Sequence, residues 1–180
     1  YLIPELYFDF LKTQDARPLA GIFYHNAIDI LSLAGLLSHT AFLLHNPLSN
    51  EIDYGEDHIS LARFFSAQNN QDLAEELFLK AMASDLADDL YWDVVEQLSF
   101  LYKKQDKWNL AIELWEQAAE NHYLYAHEEL AKYCEHRIKD LAAAHGWTLN
   151  AIKTLEKTNL PAYLNDFWLE RLNHRLNRLS

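Results

Sequence analysis

The residues best suited to chemistry are a histidine and an aspartate near the start of the chain. His25 and Asp29 are four residues apart in the apolar segment 24–33, so a helix places both on one face. A carboxylate in apolar sequence needs a partner or a metal ion, because burying an unpaired charge is costly. The spacing favours a divalent-metal site in which Asp29 binds the ion and His25 positions a water molecule or a phosphate. The alternative is that Asp29 stabilises the first turn of a helix and that His25 and Asn26 are ordinary capping residues.

A second candidate site is a set of arginines near the end of the chain. In a helix, Arg171, Arg175 and Arg178 lie along one face. The chain has a formal net charge of −12, but residues 132–180 hold 8 Lys and Arg against 5 Asp and Glu. Such a chain is a poor non-specific nucleic-acid binder, so we expect any phosphate contact to come from these three side chains. The alternative interpretation is a solvated helix face.

Composition excludes several other kinds of site. Cys134 is the single cysteine, which excludes an internal disulfide framework and a cysteine-rich zinc site and favours a cytoplasmic location. The uncharged apolar segment 30–44 is 15 residues long, shorter than the roughly 20 residues that a membrane-spanning helix needs. We therefore expect no membrane contact.

The elements that position these residues are predicted to be helices. The 180 residues include only 4 Gly and 4 Pro, and no segment shows the alternating pattern of a strand. A short helix is predicted with Pro4 in its first turn, and a long apolar helix is predicted over 24–44. The polar segment 46–57 is the predicted linker. From residue 58 onward the period is helical, with predicted breaks near 68–70, 87–89, 105–107, 121–122, 137–140 and 159–161.

The segments after the linker repeat with a period of 37 residues. Residues of matching size recur in the same order, Leu61, Ala62, Phe65, Ala74, Phe78 and Ala81 corresponding to Leu98, Ser99, Tyr102, Ala111, Trp115 and Ala118. A degenerate third copy, with one additional residue in its turn, comprises Leu130, Ala131, Tyr133, Ala144, Thr148 and Ala151. The pattern resembles the tetratricopeptide repeat (TPR), a helix–turn–helix unit of 34 residues. The resemblance covers about 58–151 and implies an all-α array, which the helix 161–179 is expected to cap.

The inner helices of such an array present a surface for peptides or for other domains. In this register the surface consists of Glu56, Ile59, Arg63, Asp93, Glu96, Phe100, Lys103 and Lys104. The mixture specifies no class of ligand.

Residues 1–45 resemble a second family. The segments IPELYFDFL and YHNAIDILSLAGLL are similar to the end of a YprB-type ribonuclease-H-like domain, which belongs to the DEDD group of 3′–5′ exonucleases. In that group four carboxylates from separate motifs bind two metal ions, and the last motif is a Tyr or His followed by an Asp. The resemblance implies that Asp29 is the last metal ligand, that His25 or Tyr24, if either, orients the attacking water, and that the metal is Mg²⁺ or Mn²⁺. It also implies that the other carboxylates lie upstream of Tyr1, so we expect these 180 residues alone to be inactive.

These patterns predict an all-α chain in three parts, namely the helical end of a nuclease domain (1–45), a linker (46–57) and a TPR-like array with its capping helix (58–180). The predicted function is that of an interaction or scaffold region in a metal-dependent 3′–5′ exonuclease. The expected partners are the upstream nuclease domain, a protein or peptide on the array, and nucleic acid for the whole protein. The alternative is a stand-alone peptide-binding adaptor.

The long helix over 24–44 is apolar around nearly its whole circumference and must therefore be covered. In the longer protein, the nuclease sheet and the array would cover it. For the 180 residues alone, we expect self-association through residues 1–45, or coverage by residues 2–11.

Overall fold

A computed structural model describes residues 3–179 of the chain. These residues are helical, with no strand among them. They divide into two compact units, one ending at Ile52 and the other beginning at Asp53. This boundary falls inside the segment 46–57 that the sequence predicts as a linker.

The first unit consists of two α-helices joined by a turn of 3₁₀-helix. Helix α1 spans Ile3–Thr13, the 3₁₀ turn spans Arg17–Leu19, and α2 spans Ala20–His45. Helix α2 therefore begins four residues before the predicted start. It ends at His45, and its C-cap residue Asn46 directly precedes Pro47, whose ring cannot continue a helix.

The apolar side chains of α2 are open to solvent. Leu33, Leu36 and Leu37 are 65%, 62% and 71% exposed, and Phe8 of α1 is 57% exposed. The expectation that the first residues fold over α2 is therefore wrong for residues 3–11, the described part of that segment. Self-association through residues 1–45 stays a prediction.

By length and composition alone, α2 with its preceding turn is long and apolar enough to cross a membrane. The span Arg17–His45 has 29 residues, and none of its most apolar window is buried within the chain. The uncharged segment 30–44 is only the second part of this apolar helix, because Asp29 interrupts the uncharged run. Its 15 residues therefore underestimate the apolar length of α2.

The second unit is an antiparallel series of helices. Its members are α3 (Gly55–Ala67), α4 (Gln71–Met82), α5 (Asp88–Lys104), α6 (Trp108–Glu120), α7 (Leu124–Tyr133), α8 (Leu141–Lys157) and α9 (Ala162–Leu179). Helices α3 and α4 pack as a pair, as do α5 with α6 and α7 with α8. Helix α4 also packs on α5, and α6 on α7, so each pair contacts the next. The predicted TPR-like array is confirmed.

The 37-residue register is confirmed by burial. Its small positions are fully buried in both copies, as Ala62, Ala74 and Ala81 and as Ser99, Ala111 and Ala118. The large residues between them, Phe78 and Trp115, are 2% and 0% exposed. Small side chains let paired helices approach closely, and the aromatic ring fills the space beside them.

A hydrogen bond explains why the second copy has serine where the first has Ala62. The indole Nε1 of Trp115 donates to Ser99 Oγ over 2.9 Å, and the hydroxyl of Ser99 donates to the carbonyl oxygen of Glu96 over 2.7 Å. A buried indole N–H needs an acceptor, which the phenyl ring of Phe78 does not. The serine therefore accompanies the change from Phe78 to Trp115.

The third pair absorbs its additional residue in a π-helical turn. Helix α7 continues as a π-helix over Cys134–Ile138, and Lys139 then adopts a left-handed conformation with φ 58° before α8 begins. A π-helical turn accommodates one residue more than the α-helical spacing does. Asp140 caps α8 by accepting a hydrogen bond from the backbone N–H of Ala143 over 2.9 Å.

Helix α9 packs on α8 and closes the end of the array. Leu172 is 1% exposed and lies in a core cluster with Leu124 of α7 and Ala151 and Leu155 of α8. The predicted capping helix is therefore present.

Candidate functional site

The predicted metal site lies on the exposed surface of α2. His25 and Asp29 share a helix face as the spacing predicts, and His25 Nε2 lies 3.5 Å from Asp29 Oδ2. Their side chains are 75% and 54% exposed, and Tyr24 is 71% exposed. The premise that Asp29 is a buried carboxylate is therefore wrong for this structure, because no described residue covers this stretch of α2.

These side chains do not by themselves fit a Mg²⁺ or Mn²⁺ site. Hard divalent cations take about six oxygen ligands, whereas Asp29 supplies one carboxylate and His25 an imidazole. Within residues 3–179, no group of three or more His, Cys, Asp or Glu side chains could hold a metal ion. Any ion at Asp29 therefore needs ligands from outside the described residues.

The first helices of the three pairs are linked by charged side chains. Arg63 of α3 forms an ion pair with Asp93 of α5, and Gln97 both accepts from Arg63 and donates to Asp93. These contacts join residues of the expected inner-helix surface, and Phe100, another of its members, is 38% exposed. Ile59 is 2% exposed and so belongs to the core instead.

Further along this face, a buried carboxylate is held between two lysines. Glu129 of α7 accepts hydrogen bonds from Lys103 Nζ over 2.5 Å and from Lys132 Nζ over 2.6 Å. Burial raises the pKa of Glu129, but the two lysines outweigh burial, so its pKa lies below the usual range. The carboxylate is therefore ionised at neutral pH.

A cavity of about 330 Å³ opens beside this pair of lysines. We call it the basic cavity, and the lining residues important here are Lys103, Trp108, Glu129, Lys132, Tyr133 and Arg137. The ring centroids of Trp108 and Tyr133 are 5.6 Å apart in a stacked arrangement, and the guanidinium carbon of Arg137 lies 4.9 Å from the Trp108 centroid. The sequence patterns do not predict this cluster, because its members come from α5, α6, α7 and the π-helical turn after α7.

The predicted basic stripe on α9 faces carboxylates of α7 and of the π-helical turn that follows α7. Arg171 Nε donates to Glu128 Oε1 over 2.5 Å, and Arg175, 8% exposed, pairs with Glu128 and Glu135. Arg178 Nη2 lies 2.6 Å from Glu135 Oε1. Nucleic-acid binding by the three arginines stays a prediction, and a phosphate would have to compete with these carboxylates.

Comparisons with known proteins support the array and a link to a longer protein. No family model matches the chain. The chain is 30% identical over 186 residues to the uncharacterized protein YprB of Bacillus subtilis (strain 168), an alignment that covers 100% of this chain. It spans 42% of the length of that relative.

The fold is similar to that of PcrH from Pseudomonas aeruginosa. The crystal structure of PcrH superposes with a TM-score of 0.53 at 17% identity and covers 73% of this chain and 94% of its own. The likeness shows an all-α helical array of TPR-like form.

Proposed function

We propose that these residues belong to a longer metal-dependent 3′–5′ exonuclease of the cytoplasm, which processes nucleic acid. Residues 1–45 would complete its ribonuclease-H-like domain and place Asp29 in a Mg²⁺ or Mn²⁺ site. Residues 58–180 would hold a protein or peptide partner on their first helices. The resemblance of residues 1–45 to YprB-type nuclease domains and the 30% identity to the longer YprB protein support this assignment.

The observation that carries the proposal is the exposed apolar surface of α2. Apolar side chains such as Leu33 and Leu37 are more than 60% exposed, and contiguous apolar surface of this kind marks an interaction site. The longer relative has a further 58% of its length in which to supply a covering domain. The candidate metal ligand Asp29 lies on the same helix, so the cover would also bring the remaining ligands to it.

A membrane is the other way to cover such a helix, and Asp29 argues against it. Asp29 lies near the middle of Arg17–His45, where a bilayer would be deepest. An aspartate at the centre of a spanning helix costs about 2.5–3.5 kcal/mol. A protein domain that supplies a metal ion and further carboxylates avoids that cost.

The open inner-helix surface, which the first helices of the pairs form, supports a binding role for the array. A cavity of about 400 Å³ lies there, with Arg63, Gln97, Phe100 and Lys104 in its lining. TPR-like arrays bind partners along this surface, so we infer that a peptide or a neighbouring domain docks there. An adaptor without nuclease activity is the competing interpretation of the same surface.

Removing the carboxylate of Asp29 tests the nuclease assignment. In the longer polypeptide, Asp29→Asn should lower Mn²⁺-dependent digestion from the 3′ end at least about 100-fold, because a metal ligand contributes several kcal/mol to the transition state. The assay follows shortening of a 5′-labelled single strand, with a chelator as the metal-free reference.

Asp9→Asn is the matched control, since Asp9 is an aspartate of α1 that is 67% exposed. It should digest at the wild-type rate. Wild-type activity in Asp29→Asn would remove Asp29 from the site, and an inactive wild-type polypeptide would leave the adaptor as the better account.

A further inference from the structure

We propose that the basic cavity between α5, α6 and α7 binds a small phosphomonoester that carries a planar ring, such as a nucleoside monophosphate. The inference goes beyond the proposed function and depends only on the cavity. The relevant observations are its charge, its remaining hydrogen-bond donors, its aromatic walls and its size.

The charge of the cavity matches a phosphate dianion. Lys103, Lys132 and Arg137 contribute three positive charges, and Glu129 contributes one negative charge. These four lining residues sum to +2, which complements a phosphomonoester of about −1.5 to −2 at pH 7. Glu128 and Asp106 lie outside the lining but contact Lys132 and Arg137, so they lower the positive charge that a ligand meets. A surplus of cations is notable in a chain whose net charge is −12.

The lysines keep donors for a ligand although both contact Glu129. An ammonium group has three N–H donors. Lys103 donates one N–H group to Glu129, and Lys132 also donates one to Glu129. The Nζ atom of Lys132 lies 3.4 Å from Glu128 Oε2 as well. Glu129 therefore fixes both amines at one side of the cavity while leaving N–H groups for phosphate oxygens. Arg137 adds a guanidinium group that is 58% exposed, with a contact of 3.7 Å to Asp106.

The aromatic walls favour a ligand with a ring over a bare anion. Trp108 and Tyr133, both partly exposed, line the cavity beside the cations, whereas the fully buried Trp115 forms its floor and offers no open face to a ligand. Stacking of a base on an aromatic side chain is worth about 1–3 kcal/mol. The volume of about 330 Å³ lies at the small end of the range for small-molecule sites and suits one nucleotide.

The surrounding charge disfavours a nucleic-acid chain as the occupant. A polynucleotide gains affinity from many basic contacts spread over a surface. Residues 1–131 contain 7 Lys and Arg against 22 Asp and Glu, so a strand leaving the cavity would meet mostly acidic surface. A ligand contained by the cavity meets three cations and one carboxylate, Glu129, in the lining.

Calorimetric titration of the 180-residue chain with adenosine 5′-monophosphate tests the proposal. We expect it to bind at least about tenfold more tightly than adenosine or inorganic phosphate, each of which makes half of the contacts. Arg137→Gln should weaken binding about tenfold, because it removes one of the cations and its contact with the Trp108 ring. The matched control is Arg17→Gln, since Arg17 is an exposed arginine (90%) outside the basic cavity, and the affinity of this variant for the nucleotide should not change.

Glu129→Gln is expected to raise the affinity for the nucleotide, whereas Arg137→Gln is expected to lower it. Glu129→Gln removes the negative charge from the cavity, while the amide oxygen of the glutamine can still accept hydrogen bonds from the two lysines and hold them in place. The affinity should therefore rise about tenfold, which a destabilised protein would not show. Equal affinities for the nucleotide and for inorganic phosphate would overturn the role of the ring. Equal effects of Arg137→Gln and Arg17→Gln, or no gain in Glu129→Gln, would overturn the site. Tighter binding of a single-stranded oligonucleotide than of the mononucleotide would overturn the small-ligand assignment.

Discussion

Replacing Trp115 by alanine should lower the free energy of unfolding by about 3–5 kcal/mol, the usual cost of deleting a fully buried aromatic side chain. Trp115 is 0% exposed and lies between the small residues of the second helix pair. Its loss leaves a cavity that rigid paired helices cannot close, and it also leaves Ser99 without its indole partner. Urea denaturation of the chain, followed by circular dichroism, measures the effect.

Two further variants test whether the loss of stability follows the 37-residue register. Phe78→Ala should cost a similar amount, because Phe78 occupies the equivalent position 37 residues earlier and is 2% exposed. Trp108→Ala should cost less, since Trp108 is only partly buried at the start of α6. A loss in Trp115→Ala no greater than that in Trp108→Ala would contradict the register.

Replacing Glu128 by alanine should cost about 3 kcal/mol, the second large effect that we expect. Glu128 is 4% exposed and pairs with Lys132, Arg171 and Arg175, so its removal leaves buried cationic groups without one of their carboxylates. Breaking a buried pair by removing one partner usually costs about 3–5 kcal/mol. We expect the low end because Arg171 is 45% exposed and Arg175 keeps Glu135.

Asp93→Ala is the matched control for Glu128→Ala. Asp93 also pairs with an arginine of another helix, but the two side chains are 41% and 49% exposed, so the loss should stay below about 1 kcal/mol. Chemical denaturation of both variants at one salt concentration compares them. Equal losses would show that the contacts between α7 and α9 contribute no more than a surface ion pair.

The sequence predicts the array well because its determinants are local. Alternation of small and large residues at helical spacing specifies which side chains meet within a helix pair, and burial of Ala74, Ala111 and Ala144 follows directly. The start of α3 at Gly55 is harder to predict. A Cβ atom there would lie 2.1 Å from Ser84 Oγ and 2.6 Å from Leu86 Cδ2, so the glycine permits a contact with residues 29 and 31 positions away. From sequence alone, Gly55 is assigned to the linker 46–57, because nothing near it in the sequence reveals this contact.

The site residues depend on partners that sequence spacing does not reveal. The arginines of α9 form an exposed stripe on a helical projection, yet their partners Glu128 and Glu135 lie about 40 residues earlier. The basic cavity likewise combines residues of α5, α6 and α7, none of which forms a motif along the chain. Asp29 was expected to be buried because its neighbours are apolar, but burial depends on a covering surface that residues 3–179 do not supply.

The central claim is that the open surface of α2 is an interface with the rest of a longer protein, and thiol labelling of Leu33→Cys tests it most directly. Cys134, the single cysteine of the 180 residues, is buried. With any cysteine in the rest of the longer polypeptide replaced by serine, a maleimide reports on the introduced thiol. Tyr54→Cys is the exposed reference, because Tyr54 is 69% exposed. In the purified longer polypeptide without lipid, the account predicts that Leu33→Cys reacts at least about tenfold more slowly than Tyr54→Cys, since a packed interface excludes the reagent. Equal labelling rates, or protection that appears only after lipid vesicles are added, would contradict the claim.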